Sequence, residues 1–396
     1  MTLTDTVREE TLVAAMLSIR LPDETGLRPL TQSEFRLTAD CLQREGYGLP
    51  DVLRLPDHTL TSLLHHKPQL SDKVLVLRQR VPDVKAALQN WAADGIWVLG
   101  ETDPAYPRRL VKRLVASRPP LLFGCGPNES LNAGGICIVG SRNSSEDAIG
   151  FARTLAERCA AEQLTIISSD MRGVDRAAVH SATENGGRAI MVLSDKLEKA
   201  IAHPRFASAL AEHTITMVTP FAPHVGFSVG NAVRANRYQY ALSDLAVIAE
   251  TRRKGGIWQG AEENRKGNWV PAFVRSGNEM PPGNRALLHL GLAPITHQQI
   301  SDAESVSQLF LDRRKASTSR ISPTGQSGSA EMPSLYQIFL RELLQFAQRA
   351  RSLDDIAAHF DITTDQAVTW LDRAAVGGAI QRSQGETDTR VVRLPD

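Results

Sequence analysis

The stretch from Gly135 to Ser145 constrains the fold of this chain more than any other. Ile136 to Val139 are four consecutive apolar residues. A Gly140-Ser141-Arg142 turn follows, and Ser144 and Asp147 stand three apart before an amphipathic run that begins near Ala148. This is the pattern of a buried strand feeding a helix through a polar turn. In an open parallel sheet such a turn lies at the carboxyl end of its strand, where free backbone N–H groups and the helix dipole favour an anion. Arg142 adds a planar, permanently charged donor fork suited to phosphate. An ordinary strand-to-helix turn with a solvated arginine fits the same residues. The three-glycine dinucleotide fingerprint is absent, so neither NAD nor FAD is expected and no cofactor is implied.

The alternation continues from there. Strands are expected at Leu164 to Ser168, Ala189 to Leu193, Thr214 to Val218, Leu245 to Ala249 and Val270 to Val274. Helices are expected near 147–163, from Arg176 to Asn185, and near 231–242 and 258–266. Strands alternating with helices imply an α/β fold with a doubly wound parallel sheet. Two short strands precede it, Ile96 to Leu99 and Leu121 to Gly124, with the basic residues Arg108, Arg109, Lys112, Arg113 and Arg118 between them. That charge run reads as a solvated face before it reads as a binding site.

Residues 1–90 read as a helical domain: Thr6 to Ile19 has helical apolar spacing, and Thr31-Gln32-Ser33-Glu34 opens a second run. Residues 91–311 hold the alternating strands and helices. Residues 312–333 are poor in apolar residues and read as a flexible linker. Residues 334–396 read as helices at Ser334 to Arg349, Ser352 to Phe360 and Thr364 to Ala375, with Thr363 and Gln366 at capping spacing. A hairpin centred on Gln384-Gly385-Glu386 follows, which makes a winged helix. With 7 Lys and Arg against 9 Asp and Glu, that last domain suits a protein contact better than DNA reading. Residues 101–300 carry 23 Lys and Arg against 18 Asp and Glu, so a polyanion should meet the middle of the chain.

No apolar run reaches membrane-spanning length, and Met1-Thr2-Leu3-Thr4-Asp5 lacks the basic start of a secretory signal, so cytoplasmic residence without membrane contact is expected. Cys41, Cys125, Cys137 and Cys159 are scattered, without metal-ligand spacing. Asp175 and His180 invite an acid/base reading, but five residues of helix separate their directions. A cap by Asp175 after the Met171-Arg172-Gly173 loop, with His180 bonded locally, is the expected arrangement.

Together these segments resemble the DNA-processing protein A family, also called Smf. The resemblance rests on Asp103, Tyr106-Pro107, Ile138 to Arg142, Gly173-Val174-Asp175 with His180, Asn236-Arg237, Ala241-Leu242-Ser243, and Gly283-Asn284 with Leu287. It departs from the family where a usual glycine is Ser169, where Arg-Asn-Arg reads Arg234-Ala235-Asn236-Arg237, and where Gly255-Gly256 replaces a Ser-Gly pair. The resemblance implies a Rossmann-like domain between an amino-terminal helical domain and a winged helix. It also implies a homodimer that binds single-stranded DNA and, in DNA uptake and competence, loads a RecA-type recombinase or serves another DNA-handling protein. Carried over by position, Arg142 and Arg237 grip phosphates, Ser141, Ser168 and Asn236 bond nearby, and Gly140 and Gly173 shape the pocket. Arg172, Arg176, Arg234, Arg252 and Lys254 are candidates to widen it.

Two other functions remain compatible with the sequence. One is a nucleotide or DNA-end sensor in phage defence. The other is a nucleoside-monophosphate phosphoribohydrolase, for which Gly255-Gly256 and Glu262-Glu263 are an imperfect signature. Otherwise the chain is expected not to be an enzyme, and it shows no metal-binding pattern.

Overall fold

Short apolar runs, each closed by a polar turn or a glycine, build the strands of this protein. Its computed structural model describes residues 7–22, 24, 26–277, 279–319, 339, 340, 343, 346, 351–360, 364–376, 380–384 and 390–393. The chain divides into two units, Met1–Ser322 and Pro323–Asp396.

Among the described residues, the strands of the first unit are β1 (Trp97–Gly100), β2 (Leu121–Cys125), β3 (Ile136–Gly140), β4 (Ile166–Ser168), β5 (Ala189–Val192), β6 (Ile215–Thr219), β7 (Leu245–Glu250), β8 (Ala272–Ser276) and β9 (Ala293–Thr296). Its helices are α1 (Glu9–Ser18), α2 (Gln32–Arg44), α3 (Asp57–Leu63), α4 (Pro68–Arg78), α5 (Val81–Ala93), α6 (Arg108–Leu114), α7 (Ser130–Ala133), α8 (Glu146–Ala161), α9 (Val174–Glu184), α10 (Leu197–Ile201), α11 (Ala207–Ala211), α12 (Val229–Leu242), α13 (Gly256–Gly267), α14 (Pro282–His289), α15 (His297–Asp302) and α16 (Val306–Ser319). One sheet forms in the order β1-β2-β6-β5-β4-β3-β7-β8-β9. From β6 to β9 every neighbour is parallel. The two strands that precede this parallel part, β1 and β2, extend the sheet antiparallel beyond β6. An apolar run carries no direction, and only pairing decides it.

β3 is buried along its whole length because helices cover both sheet faces. Ile136 and Ile138 face α8, α9, α15 and α16, whereas Cys137 and Val139 face α12, α13 and α14. Ser145 caps α8 by accepting from Ala148 N, one position later than the sequence pattern implied. Ser144 instead donates to Ser141 O and tightens the turn. Thr31 and Glu34 form the expected capping box on α2.

Helices α1 to α5 share a core with β2, β5 and β6, so residues 1–90, read as a helical domain, pack within the same unit as the sheet. The reason lies in α1, where every residue from Thr11 to Leu17 is buried. A helix apolar on all sides must be covered on all sides. Trp91 of α5 stands edge-on to Phe123 of β2 at 5.6 Å.

α16 runs to Ser319 through residues 312–319, which were expected to begin the linker. Arg313, Arg314, Lys315 and Ala316 are good helix formers, and neither Gly nor Pro interrupts them. Glu162 accepts from Ser307 N at 3.0 Å and from the Ser305 and Ser307 hydroxyls, satisfying the start of that helix.

The second unit contains α17 (Leu353–Phe360), α18 (Thr364–Val376) and the antiparallel strands β10 (Arg351–Ser352), β11 (Gln381–Gln384) and β12 (Arg390–Arg393), ordered β10-β12-β11. Phe339 packs against Phe360 and Trp370 at 4.8 and 4.9 Å, over Leu343, Ile356 and Leu371. Residues 320–333 of the expected linker, most of the expected helix at 334–349, Thr363, and Gly385-Glu386 of the hairpin turn lie outside the described residues.

Candidate nucleic-acid interface

The chain leaves β3 toward β4, β5 and β6 on one side and returns to β7 on the other. The strand order therefore reverses between β3 and β7, and ligands bind in the crevice at the carboxyl ends of such strands. At that point the pairing shifts register between Val139 and Gly140, and Ser141 N donates to Glu250 O at 2.9 Å. Two glycines let three backbones meet there. A Cβ on Gly140 would lie 2.6 Å from Val174. Gly173, at φ +93°, caps α9, and its Cβ would lie 2.6 Å from Ser141 O. The turns after β3 and β4 are thus pressed together, and Arg142 projects from their junction.

A cleft of about 330 Å³ opens beside it, lined by Gly140, Ser141, Arg142, Asn236, Arg252 and Lys254 among others. The first turns of α12 and α13 also line it and bring positive dipole ends, with Ser228 Oγ taking the Asn231 amide of α12 and no side chain capping α13. Among the described residues Arg142, Arg252 and Lys254 make no ion pair. The Arg142 guanidinium lies 4.8 Å from the Phe227 ring centroid, and Phe227 is 42% exposed. The loop bearing Arg252 and Lys254 is held from behind: Thr251 N donates to Asn284 Oδ1 at 2.8 Å, and Asn284 Nδ2 donates to Ala249 O and Arg275 O. Glu250 accepts from Ser145 N and Oγ at 3.1 and 2.6 Å, tying the end of β7 to the start of α8.

Asp175 is the acid of this lining and is 1% exposed. Its Oδ1 accepts from Gly140 N at 2.9 Å and its Oδ2 from Ser169 Oγ at 2.6 Å. Ser169 Oγ in turn accepts from Met171 N at 3.0 Å. Burial pushes the carboxyl up to about 7, against the opposing pull of these bonds and of Arg142. Asp175 is therefore not the cap it was expected to be. Gly173 holds the cap position without a side-chain bond, and the carboxylate reaches across to β3. His180 pairs with Glu184 at 2.7 Å on the exposed side of the helix, a local bond.

A second cleft of about 500 Å³ shares Arg142 and Met171 with the first, is lined by Phe227 as well, and lies at the carboxyl ends of β4 and β5. Arg172 and Arg176 line it, as do Lys196, Lys199 and Arg205, which sequence reasoning missed. Asp170 pairs with both Arg176, at 3.4 Å, and Arg205. Lys196 stands in the loop that leaves β5, four residues past Val192, and the strand-end rule applied to that strand points to this loop.

Other expected contacts sit elsewhere. Ser168 is fully buried, and its hydroxyl donates to Ile138 O at 2.6 Å, joining β4 to β3. Arg237 lies one helical position, about 100°, beyond Asn236, and its Nε meets Glu263 at 3.0 Å. Arg234 lies over Phe221, 4.8 Å from the ring centroid. None of these three lines either cleft, and neither do Glu262 and Glu263. The basic run at 108–118 is largely structural: Arg109 pairs with Asp244, Arg118 with Glu101, and Arg113 donates to Ala241 O and Ser243 O at the end of α12. Among the described residues no helix is long and apolar enough to cross a membrane, and no cluster of metal-ligating side chains occurs.

The sequence profile of the family described as DNA recombination-mediator protein A matches residues 97–305, more than half of the chain. Among solved structures, DNA processing protein A from Streptococcus pneumoniae aligns at TM-score 0.58 and 17% identity, covering 75% of this chain and 99% of that one, a likeness of fold. DNA processing protein A from Helicobacter pylori, solved to describe its single-stranded DNA binding mode, aligns at TM-score 0.45 and 20% identity over 56% of this chain and 96% of that one. No curated protein sequence matches.

Proposed function

The chain belongs to the DNA recombination-mediator protein A family, and on that premise we propose that it is a non-enzymatic protein that binds single-stranded DNA in the switch-point cleft. The observation that carries this reading is the exposed Arg142, free of ion pairs, in one cleft with Arg252, Lys254 and the first turns of α12 and α13, and with the Phe227 ring 4.8 Å from its guanidinium. A single strand offers phosphates to the cations and a base to the ring, and each stacked base contributes about 1–3 kcal/mol. Arg142 grips a phosphate, Ser141 and Asn236 add polar contacts, and Arg172, Arg176, Lys196 and Lys199 continue the basic track into the second cleft. Arg234 adds positive field from α12 rather than direct grip, and Arg237 adds less because Glu263 pairs with it. In the cell the protein protects single-stranded DNA and helps load a RecA-type recombinase during DNA uptake and recombination, acting as a homodimer. The carboxyl-terminal unit serves as a winged helix for protein contact.

Binding of a fluorescent single-stranded oligonucleotide at two salt concentrations tests this. Affinity should fall steeply with salt and exceed that for a duplex. Absence of binding at low salt would remove the reading.

A second reading is favoured by the size of the first cleft, about 330 Å³, which falls in the range of small-ligand sites. There the cleft holds a nucleotide or a DNA end, as a sensor in phage defence would. Competition of the oligonucleotide by a mononucleotide at micromolar concentration would support the sensor, and no competition would exclude it.

A further inference from the structure

We propose that Asp175 is a proton-linked positioning residue of the switch-point cleft, which takes a phosphate group more tightly when this carboxyl is protonated than when it is charged. The inference rests on reading that cleft as a phosphate site.

The geometry sets the coupling. Asp175 lies in the cleft wall, and its Oδ1 already holds the Gly140 amide at the end of β3. As a carboxylate it places a negative charge in the wall of the cleft that is to take the phosphate. It is also drawn electrostatically to Arg142, the cation that the phosphate itself would engage. A phosphate entering the cleft therefore diverts the cation that favours the carboxylate and adds an anion that disfavours it. Both effects favour uptake of a proton, and by linkage the proton then favours the phosphate by the same factor.

The bonds around the carboxyl accommodate the change. One proton enters from solvent. Oδ2 becomes an O–H donor to Ser169 Oγ, which still accepts from Met171 N, while Gly140 N continues to donate to Oδ1. The hydrogen that Ser169 had given to Asp175 is released, and Ser169 lines the second cleft.

The charged and titratable groups around Asp175 come from several elements. Arg142, from the turn after β3, favours the carboxylate, and Asp170, from the loop after β4, opposes it. Arg176, on α9 itself, is turned to Asp170. Cys137 of β3 and Tyr240 of α12 are buried behind it, with their thiol and phenol pushed well up by burial, so both stay neutral near neutral pH. α8 presents Glu157 to Ser181, well over a turn further along α9. Glu250 of β7 is taken up by Ser145 and Arg275.

The test is oligonucleotide affinity at constant ionic strength from about pH 5.5 to about pH 8.5. The wild type should tighten roughly fivefold to tenfold toward acid, with a midpoint close to neutral. Asp175→Asn, which keeps the shape and mimics the neutral carboxyl, should bind throughout as the wild type does in acid. His203 also lines the second cleft and is present in both proteins, so the comparison cancels it. Ser169→Ala removes a bond that favours the carboxylate and should move the midpoint upward, and it decides the matter if Asp175→Asn does not fold. An Asp175→Asn profile that tracks the wild type, or an unmoved midpoint in Ser169→Ala, overturns the coupling while leaving the DNA reading intact. No wild-type binding at any pH overturns the DNA reading, and the coupling with it.

Discussion

The backbone N–H of Gly140 donates to Oδ1 of Asp175 at 2.9 Å, so the amide at the tip of the central strand is held by an acid from the neighbouring helix. In an ordinary strand-to-helix turn that amide would be free for an anion. Here the free positive groups are instead Arg142, Arg252, Lys254 and the first turns of α12 and α13. The acid fixes the turn and lowers the local positive potential until it is neutralised.

Stability should carry the same signature. The Asp175 carboxyl is raised from an ordinary 3.8 to about 7, so its contribution is fully present below about pH 4 and is lost as pH rises through about 7. Urea unfolding at several pH values should show the wild type losing on the order of 1–4 kcal/mol relative to Asp175→Asn between those limits. A constant difference between the two proteins would mean that the carboxyl is not raised.

Gly173 is held at φ +93° with backbone oxygens where a Cβ would be. Gly173→Ala should destabilise the protein by about 2 kcal/mol or more and loosen the turn that carries Arg142. Chemical denaturation would detect the first effect, and weakened oligonucleotide binding the second.

Ser168 and Phe227 should separate stability from binding. Ser168→Ala removes an inward bond to Ile138 O, with a stability loss of about 1 kcal/mol and unchanged DNA affinity. Phe227→Ala should leave the unfolding midpoint nearly unchanged, because the ring is exposed, yet weaken oligonucleotide binding by about 1–3 kcal/mol. Titrations on both variants check this directly.

Lys196 and Lys199 belong to the second cleft. Replacing both with alanine should weaken binding of a long oligonucleotide more than that of a short one and reduce the slope of log affinity against log salt by roughly one to two. Equal effects on both lengths would place the strand elsewhere.

Much of this architecture is visible in local patterns. The run Ile136 to Val139 announces a two-sided buried strand, and its glycine turn places Arg142 at a strand end. Sheet order and direction are not local, so the antiparallel edge of β1 and β2 and the strand Ala293–Thr296 came only with the structure. Adjacent serines at 144 and 145 made the α8 cap ambiguous by one residue. Ser168 carries the right chemistry but faces inward, and Asp175 stands at helix-start spacing but bonds across the chain to β3. Lys196 lies past a strand end that a local rule can mark, but its meeting with Lys199 and Arg142 in one cleft depends on sheet order, which is not local.

The most direct measurement is the affinity of a fluorescent single-stranded oligonucleotide for wild type, Arg142→Glu and Arg237→Glu at low and moderate salt. Arg142 stands unpaired in the cleft, whereas Arg237 is already neutralised by Glu263. The cleft assignment predicts strong, salt-sensitive wild-type binding, lost in Arg142→Glu and reduced less in Arg237→Glu. Wild-type affinity retained by Arg142→Glu would contradict it.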